Sequence, residues 1–114
     1  MIRQTFLHSR RRAAKTATAS PASVSGSRNT AGTVVTSAST ASGSGGTVSS
    51  YAWEYVSGDT GFTISTPSSA STTFSTNVSA VRQNVSAVFR CKVTFIDSTI
   101  AYTNNVDANG SYVI

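Results

Sequence analysis

Cysteine occurs once, at Cys91, so the chain cannot close an intramolecular disulfide and its fold must stand without a covalent staple. Histidine also occurs once, at His8, ahead of the region that can build a core. A positioned general base needs a fixed neighbourhood, and no nucleophile–His–acid set can be assembled; the sequence therefore predicts no catalytic residues and no enzyme. One Cys and one His also exclude a zinc site within the chain, and no metal or other cofactor is expected. Leu, Met and Glu appear once each, which leaves strong helix formers scarce beyond the first fifteen positions. No run of 18 apolar residues exists, so no helix is expected to span a membrane.

What fills the chain instead is Ser and Thr, 38 of 114 residues, interleaved with Val, Ala and aromatic residues. That composition predicts an all-β body, and the length suits one domain. Charge divides unevenly. Residues 1–30 hold Arg3, Arg10, Arg11, Arg12, Lys15 and Arg28 with no acid, whereas 31–114 hold Arg82, Arg90 and Lys92 against Glu54, Asp59, Asp97 and Asp107. The net charge of +5 thus belongs to an N-terminal segment and not to a basic folded face. We divide the chain into a basic arm at 1–19 and a sandwich domain at 20–114. Within the arm, residues 2–14 allow a short amphipathic helix with Ile2, Phe6 and Leu7 apolar and Arg3, Arg10 and Arg11 on a more polar side; too short to hold alone in water, it would order on a partner or stay mobile. The acid-free composition of 1–20 also leaves a mitochondrial presequence open, whereas an export signal needs an apolar stretch after "RRR" that this chain lacks.

From Thr16 the text alternates small and β-branched residues between Gly, Ser, Asn and Pro. Strands are expected near 16–25, 31–41, 48–57, 61–66, 71–78, 85–96 and 99–106, with a last piece at 111–114, and turns at "GSGG" (43–46) and "SGDTG" (57–61). In "VSAVFRCKVTF" (85–95), Val85, Ala87, Phe89, Cys91, Val93 and Phe95 share one face while Arg90 and Lys92 share the other; a slip of one residue would bury both cations, so the register is well specified. The same reasoning places Tyr51, Trp53 and Tyr55 together with Glu54 outward. The predicted core is Tyr51, Trp53, Phe74, Phe89, Cys91, Val93 and Phe95, with the lone thiol acting as a small buried hydrophobe.

These residues resemble the immunoglobulin-like domains of bacteriophage virion proteins, close to the polycystic-kidney-disease (PKD) type. "SASTASGSGGTVSSYAW" (37–53) is similar to the family's path into a Tyr-x-Trp strand. "STTFSTNVS" (71–79) is similar to its next edge, and "SAVFRCKVTF" (86–95) to its aromatic-x-Cys-x-Val strand, which "YTNNV" (102–106) follows. The resemblance implies an immunoglobulin-like β-sandwich of about seven antiparallel strands. It places the position that would pair with Cys91 in a disulfide-bearing relative near Thr36 or Ala38. Acids usual after the tryptophan strand and in the turn before it are replaced by "VSGD" and "GSGG", which weakens any calcium site; Asp97, Asp107 and Asn109 are read as turn formers.

The resemblance further implies a non-enzymatic virion protein, assembled in the host cytoplasm. Capsid decoration is the first reading, with a tail or neck role, or a host-surface carbohydrate module, as alternatives. Its expected attachment is Ile2, Arg3, Phe6, Leu7, Arg10, Arg11, Arg12 and Lys15, meeting the major capsid protein or another virion protein, with oligomers on the particle possible and nucleic acid a less favoured partner. A host glycan would need exposed aromatics, for which Tyr102 and Tyr112 are the candidates. No membrane partner is expected.

Overall fold

The computed structural model describes residues 14–113. The expected helix at 2–14, and with it Ile2, Arg3, Phe6, Leu7, Arg10, Arg11 and Arg12, lies outside the described residues. The rest is all β: β1 (Thr16–Ser20), β2 (Ser23–Arg28), β3 (Gly32–Val35), β4 (Ser39–Ser44), β5 (Val48–Gly58), β6 (Thr63–Ile64), β7 (Ser71–Thr72), β8 (Phe74–Val78), β9 (Asn84–Phe95), β10 (Ile100–Tyr102) and β11 (Val106–Tyr112).

One layer is organised by β9, the longest strand. β5 pairs antiparallel along one edge of β9, and β10 and β11 pair antiparallel with successive parts of the other. β2 then joins β11 in parallel, the one departure from the antiparallel expectation. The opposite layer consists of the ladders β1–β4–β7 and β3–β8–β6. The strand expected at 31–41 is interrupted between Val35 and Ser39, and that at 71–78 breaks at Thr73. These breaks divide nearly continuous chain between the two ladders, β3 and β8 in one and β4 and β7 in the other.

The strand expected at 16–25 is also two strands. Proline has no N–H to give a ladder, and at Pro21 the chain leaves β4 and crosses to β11 in the other layer. Ser39 Oγ donates to the Pro21 carbonyl oxygen at 2.8 Å, holding the crossing. β1 begins at Thr16 and pairs over its whole length with β4, so the sandwich starts four residues before the boundary drawn at residue 20. Gly45, with φ of 92°, turns next to the Ala14 carbonyl, where a Cβ would collide. Near the C-terminus, the strand expected at 99–106 stops at Tyr102, and the piece expected at 111–114 is the end of β11.

Alternation along β9 is complete. Ala87, Phe89, Cys91, Val93 and Phe95 are buried, and the residues between them are at least partly exposed. Trp53 on β5 lies opposite Cys91, and its indole Nε1–H donates to the Ser69 carbonyl oxygen at 2.9 Å. Phe74 from the opposite layer stacks on Phe89, centroids 4.3 Å apart, and meets Trp53 edge-on at 5.8 Å. Tyr51 is half-buried against this cluster, whereas Tyr55, past the middle of β5, is exposed, meets Phe89 edge-on and donates its hydroxyl to the Gly58 carbonyl.

Buried hydroxyls complete the ladders where strands break. Thr103 Oγ1 accepts the Cys91 N–H at 2.9 Å and donates to the Asn104 carbonyl, and Thr36 Oγ1 accepts the Phe74 N–H at 3.1 Å. Asn104 presents its amide to both backbone groups of Ala19 in β1, acting as a one-residue substitute for a neighbouring strand. Thr36, which the resemblance placed near a second cysteine position, is thus a buried hydrogen-bonding residue. Burial raises the pKa of the Cys91 thiol and keeps it protonated.

Removing the ring at the layer contact, Phe89→Ala, is expected to cost about 3–5 kcal/mol. Thr103→Val, which strands the Cys91 N–H, should cost about 1–3 kcal/mol. Urea midpoints for both variants against the unaltered chain check this; a smaller loss in Phe89→Ala than in Thr103→Val would contradict the assignment of Phe89 to the layer contact.

Candidate interaction surface

The two outer faces differ in chemistry because the two layers differ in sequence. Strands β1, β3, β4, β6, β7 and β8 contain no charged residue. Exposed side chains on and beside these strands pair with one another instead: Thr18 with Ser42 at 3.2 Å, Thr40 with Ser71 at 3.1 Å, Thr33 with Asn77 at 2.9 Å and, just outside β6 and β8, Ser65 with Thr73 at 2.7 Å. Every charged strand residue lies on the other layer: Arg28, Glu54, Arg90, Lys92 and Asp107.

On that layer the outward positions of β5, β9 and β10 form a row. Arg90 Nε donates to Glu54 Oε2 at 2.6 Å, and the Arg90 guanidinium lies 4.0 Å from the centroid of the Tyr102 ring. A planar cation between a carboxylate and an aromatic ring satisfies its donors along one edge while its face rests on the ring. Both ends of the ion pair are more than a third exposed, so its contribution to stability is small, below about 1 kcal/mol. Lys92 stands opposite Tyr102 in the β9–β10 ladder and has no ion-pair partner among the described residues.

The β9–β10 hairpin extends this row to one pole of the sandwich. Ile96, 69% exposed, follows the end of β9, and Ile100, 48% exposed, faces Thr94 on the same outward side as Tyr102. Asp97, at the tip, accepts from Lys15 Nζ at 2.8 Å and from the Thr99 hydroxyl at 2.6 Å. The Lys15 ammonium beside it, with the Thr99 hydrogen bonds, holds the Asp97 carboxyl well below the usual carboxylate range. Lys15 also stands 5.7 Å from the centroid of the Phe95 ring. The chain therefore enters β1 at this pole, with its first described residues tied to the hairpin tip. Tyr112, Val113 and Arg28 lie at the opposite pole, where Val113 N–H donates to the Arg28 carbonyl.

Several residues marked in the sequence are thereby separated. Asp97 follows Phe95, whereas Asp107 lies opposite Val88, roughly 23 Å away along β9. Asp97, Asp107 and Asn109 accordingly do not converge on one cation site, and the described residues contain no cluster of three or more His, Cys, Asp or Glu side chains. Tyr102 and Tyr112 likewise stand at different ends of the sheet, so they do not make one aromatic platform. Lys15, assigned from sequence to the arm's contact set, is bound to the sandwich through Asp97. Shallow depressions of about 270 and 200 Å³ are lined by small and polar residues, and Asp107 is the only ionisable one among them. Ile96 and Ile100 were missed by sequence reasoning; their signal was two isoleucines flanking the "DST" turn, where neither has a core to face.

Residues 29–107, well over half of the chain, match the family model described as K319L-like, PKD domain. The chain belongs to that family, whose domains are non-catalytic immunoglobulin-like modules. No curated protein matches it.

The Lys15–Asp97 pair has a pH signature. Because the carboxyl titrates below its unfolded value of about 3.9, its contribution is complete at neutral pH and is lost as pH falls through that value toward the lower folded one. The midpoint gap between the unaltered chain and Asp97→Asn is expected to stay constant from about pH 7 to 5 and to close below about pH 4. Added salt should narrow it. Denaturation midpoints across pH measure this, and a gap that widens in acid would contradict the pairing.

Proposed function

We propose that this PKD domain is a structural interaction module of a bacteriophage particle, a capsid decoration protein attached through its basic N-terminal segment. One observation carries the reading. Residues 16–114 hold four basic side chains (Arg28, Arg82, Arg90, Lys92) and four acidic ones (Glu54, Asp59, Asp97, Asp107), so with Lys15, which pairs with Asp97, the sandwich carries a net charge of only +1. The other four units of the net charge of +5 come from Arg3, Arg10, Arg11 and Arg12. A sandwich so nearly neutral has little general attraction for a polyanion, whereas arginines 3, 10, 11 and 12 offer forked donors for carboxylates on a capsid protein. The unstapled sandwich, stable through packing alone, suits assembly in a reducing host cytoplasm.

The resemblance of "SAVFRCKVTF" and the Tyr-x-Trp strand to phage virion domains supports the particle setting, and a tail or neck position uses the same attachment. The host-glycan reading rests on Tyr102 and Tyr112, and the Tyr102 ring already carries the Arg90 guanidinium.

The full-length chain with Arg3, Arg10, Arg11 and Arg12 all changed to Gln is expected to keep its urea midpoint and to lose capsid affinity by about tenfold or more. The assay is cosedimentation with purified phage capsids lacking this chain, at low and high salt. Undiminished capsid binding by the substituted chain would refute attachment through the segment.

A further inference from the structure

We infer that the outward face of the β9–β10 hairpin is a second contact surface, which seats on a protein presenting carboxylates beside an apolar cleft. The inference rests on the attachment reading above and adds to it the sandwich's own share of the contact. Three exposed apolar side chains, Ile96, Ile100 and Tyr102, run along this hairpin from the pole inward, 69%, 48% and 46% exposed. Isoleucines this exposed at a turn contribute nothing to the core, and the rest of the hairpin is well packed, with Phe95, Val93 and Cys91 buried on its inner side.

The occupant follows from what surrounds the apolar strip. Lys92, without an ion-pair partner among the described residues, stands beside Tyr102, and Arg90 lies against the Tyr102 ring. The two acids nearby, Glu54 and Asp97, are already neutralised by Arg90 and Lys15. What the face offers outward is therefore apolar area plus a surplus cation. Lys15, tied to Asp97 at the hairpin tip, lies at the same pole as Ile96.

A nucleic acid fits this poorly, since its phosphates would have to lie over isoleucines and beside two carboxylates while gaining one free lysine. A second copy fits poorly too: a two-fold pairing of this face would bring together Lys92 of both copies, while Glu54 and Asp97 are already engaged by Arg90 and Lys15. An acidic protein surface with an apolar cleft satisfies both the strip and the cations.

The test uses full-length protein with Ile96→Asp and Ile100→Asp together, and separately Lys92→Glu. These positions are partly or largely exposed, and urea midpoints confirm that each variant folds. Binding is measured by cosedimentation with phage capsids lacking this chain and by retention on a 30-bp duplex DNA, and self-association by sedimentation velocity. The expected result is a loss of capsid affinity of about tenfold or more in the isoleucine variant and a smaller loss in Lys92→Glu, with duplex retention unchanged. Capsid binding equal to that of the unaltered chain would overturn the hairpin surface while leaving the arginine attachment standing. Parallel loss of duplex retention would replace the protein partner by nucleic acid, and loss of a dimer in the isoleucine variant would replace it by a second copy. If the unaltered chain itself failed to bind capsids, the attachment reading and this inference would fall together.

Discussion

The stack of Phe74 on Phe89, 4.3 Å between centroids, joins the two layers at the middle of the sandwich, and the remaining structure is arranged around it. Phe89 belongs to β9, which has a partner along both edges, and Phe74 opens β8 in the opposite layer. Trp53 and Phe62 meet this pair edge-on, so four rings from four segments close the centre without a disulfide. With leucine almost absent, these rings supply most of the large apolar volume. Valines and alanines fill the remainder, and close approach is part of the design: at Gly26 any Cβ would collide with the Val35 carbonyl.

A chain so rich in Ser and Thr must bury some hydroxyls, and it uses them where the ladders are interrupted. Thr36 lies at the β3–β4 break, Thr103 beyond the end of β10 and Ser39 across from the crossing at Pro21. Each takes over a backbone partner that the neighbouring strand no longer supplies, and none of the described buried side-chain nitrogen or oxygen atoms is left unpaired. The exposed hydroxyls of the same layer pair across strands, which leaves that face neutral. The opposite face gathers the charged strand residues and the exposed apolar strip, so the two sides of the domain meet their surroundings with different chemistry.

Much of the fold was legible in short stretches. The alternation in "VSAVFRCKVTF" specified which side chains of β9 face inward, because a shift of one position would have buried Arg90 and Lys92. Turns at 43–46 and 57–61 were visible from their glycines. The crossing at Pro21 was not legible: proline announces a break, but the layer each half joins depends on its partner, β4 for the first half and β11, more than eighty residues away, for the second. The surface was less legible still. Arg90 and Lys92 were known to point away from the core, yet their neighbours Glu54 and Tyr102 came from other strands, and the exposed Ile96 and Ile100 drew no assignment from the sequence.

By itself the sequence determined the all-β class, the orientation of the central strands, the absence of a staple and the concentration of positive charge near the N-terminus. All of these follow from residue type and near-neighbour spacing. Tertiary structure alone decided that Lys15 belongs to the sandwich, because its partner Asp97 is 82 residues distant. It also decided that one layer bears every charged strand residue. Those outcomes depend on which strands share a sheet, and strand pairing brings together residues whose proximity no local pattern encodes.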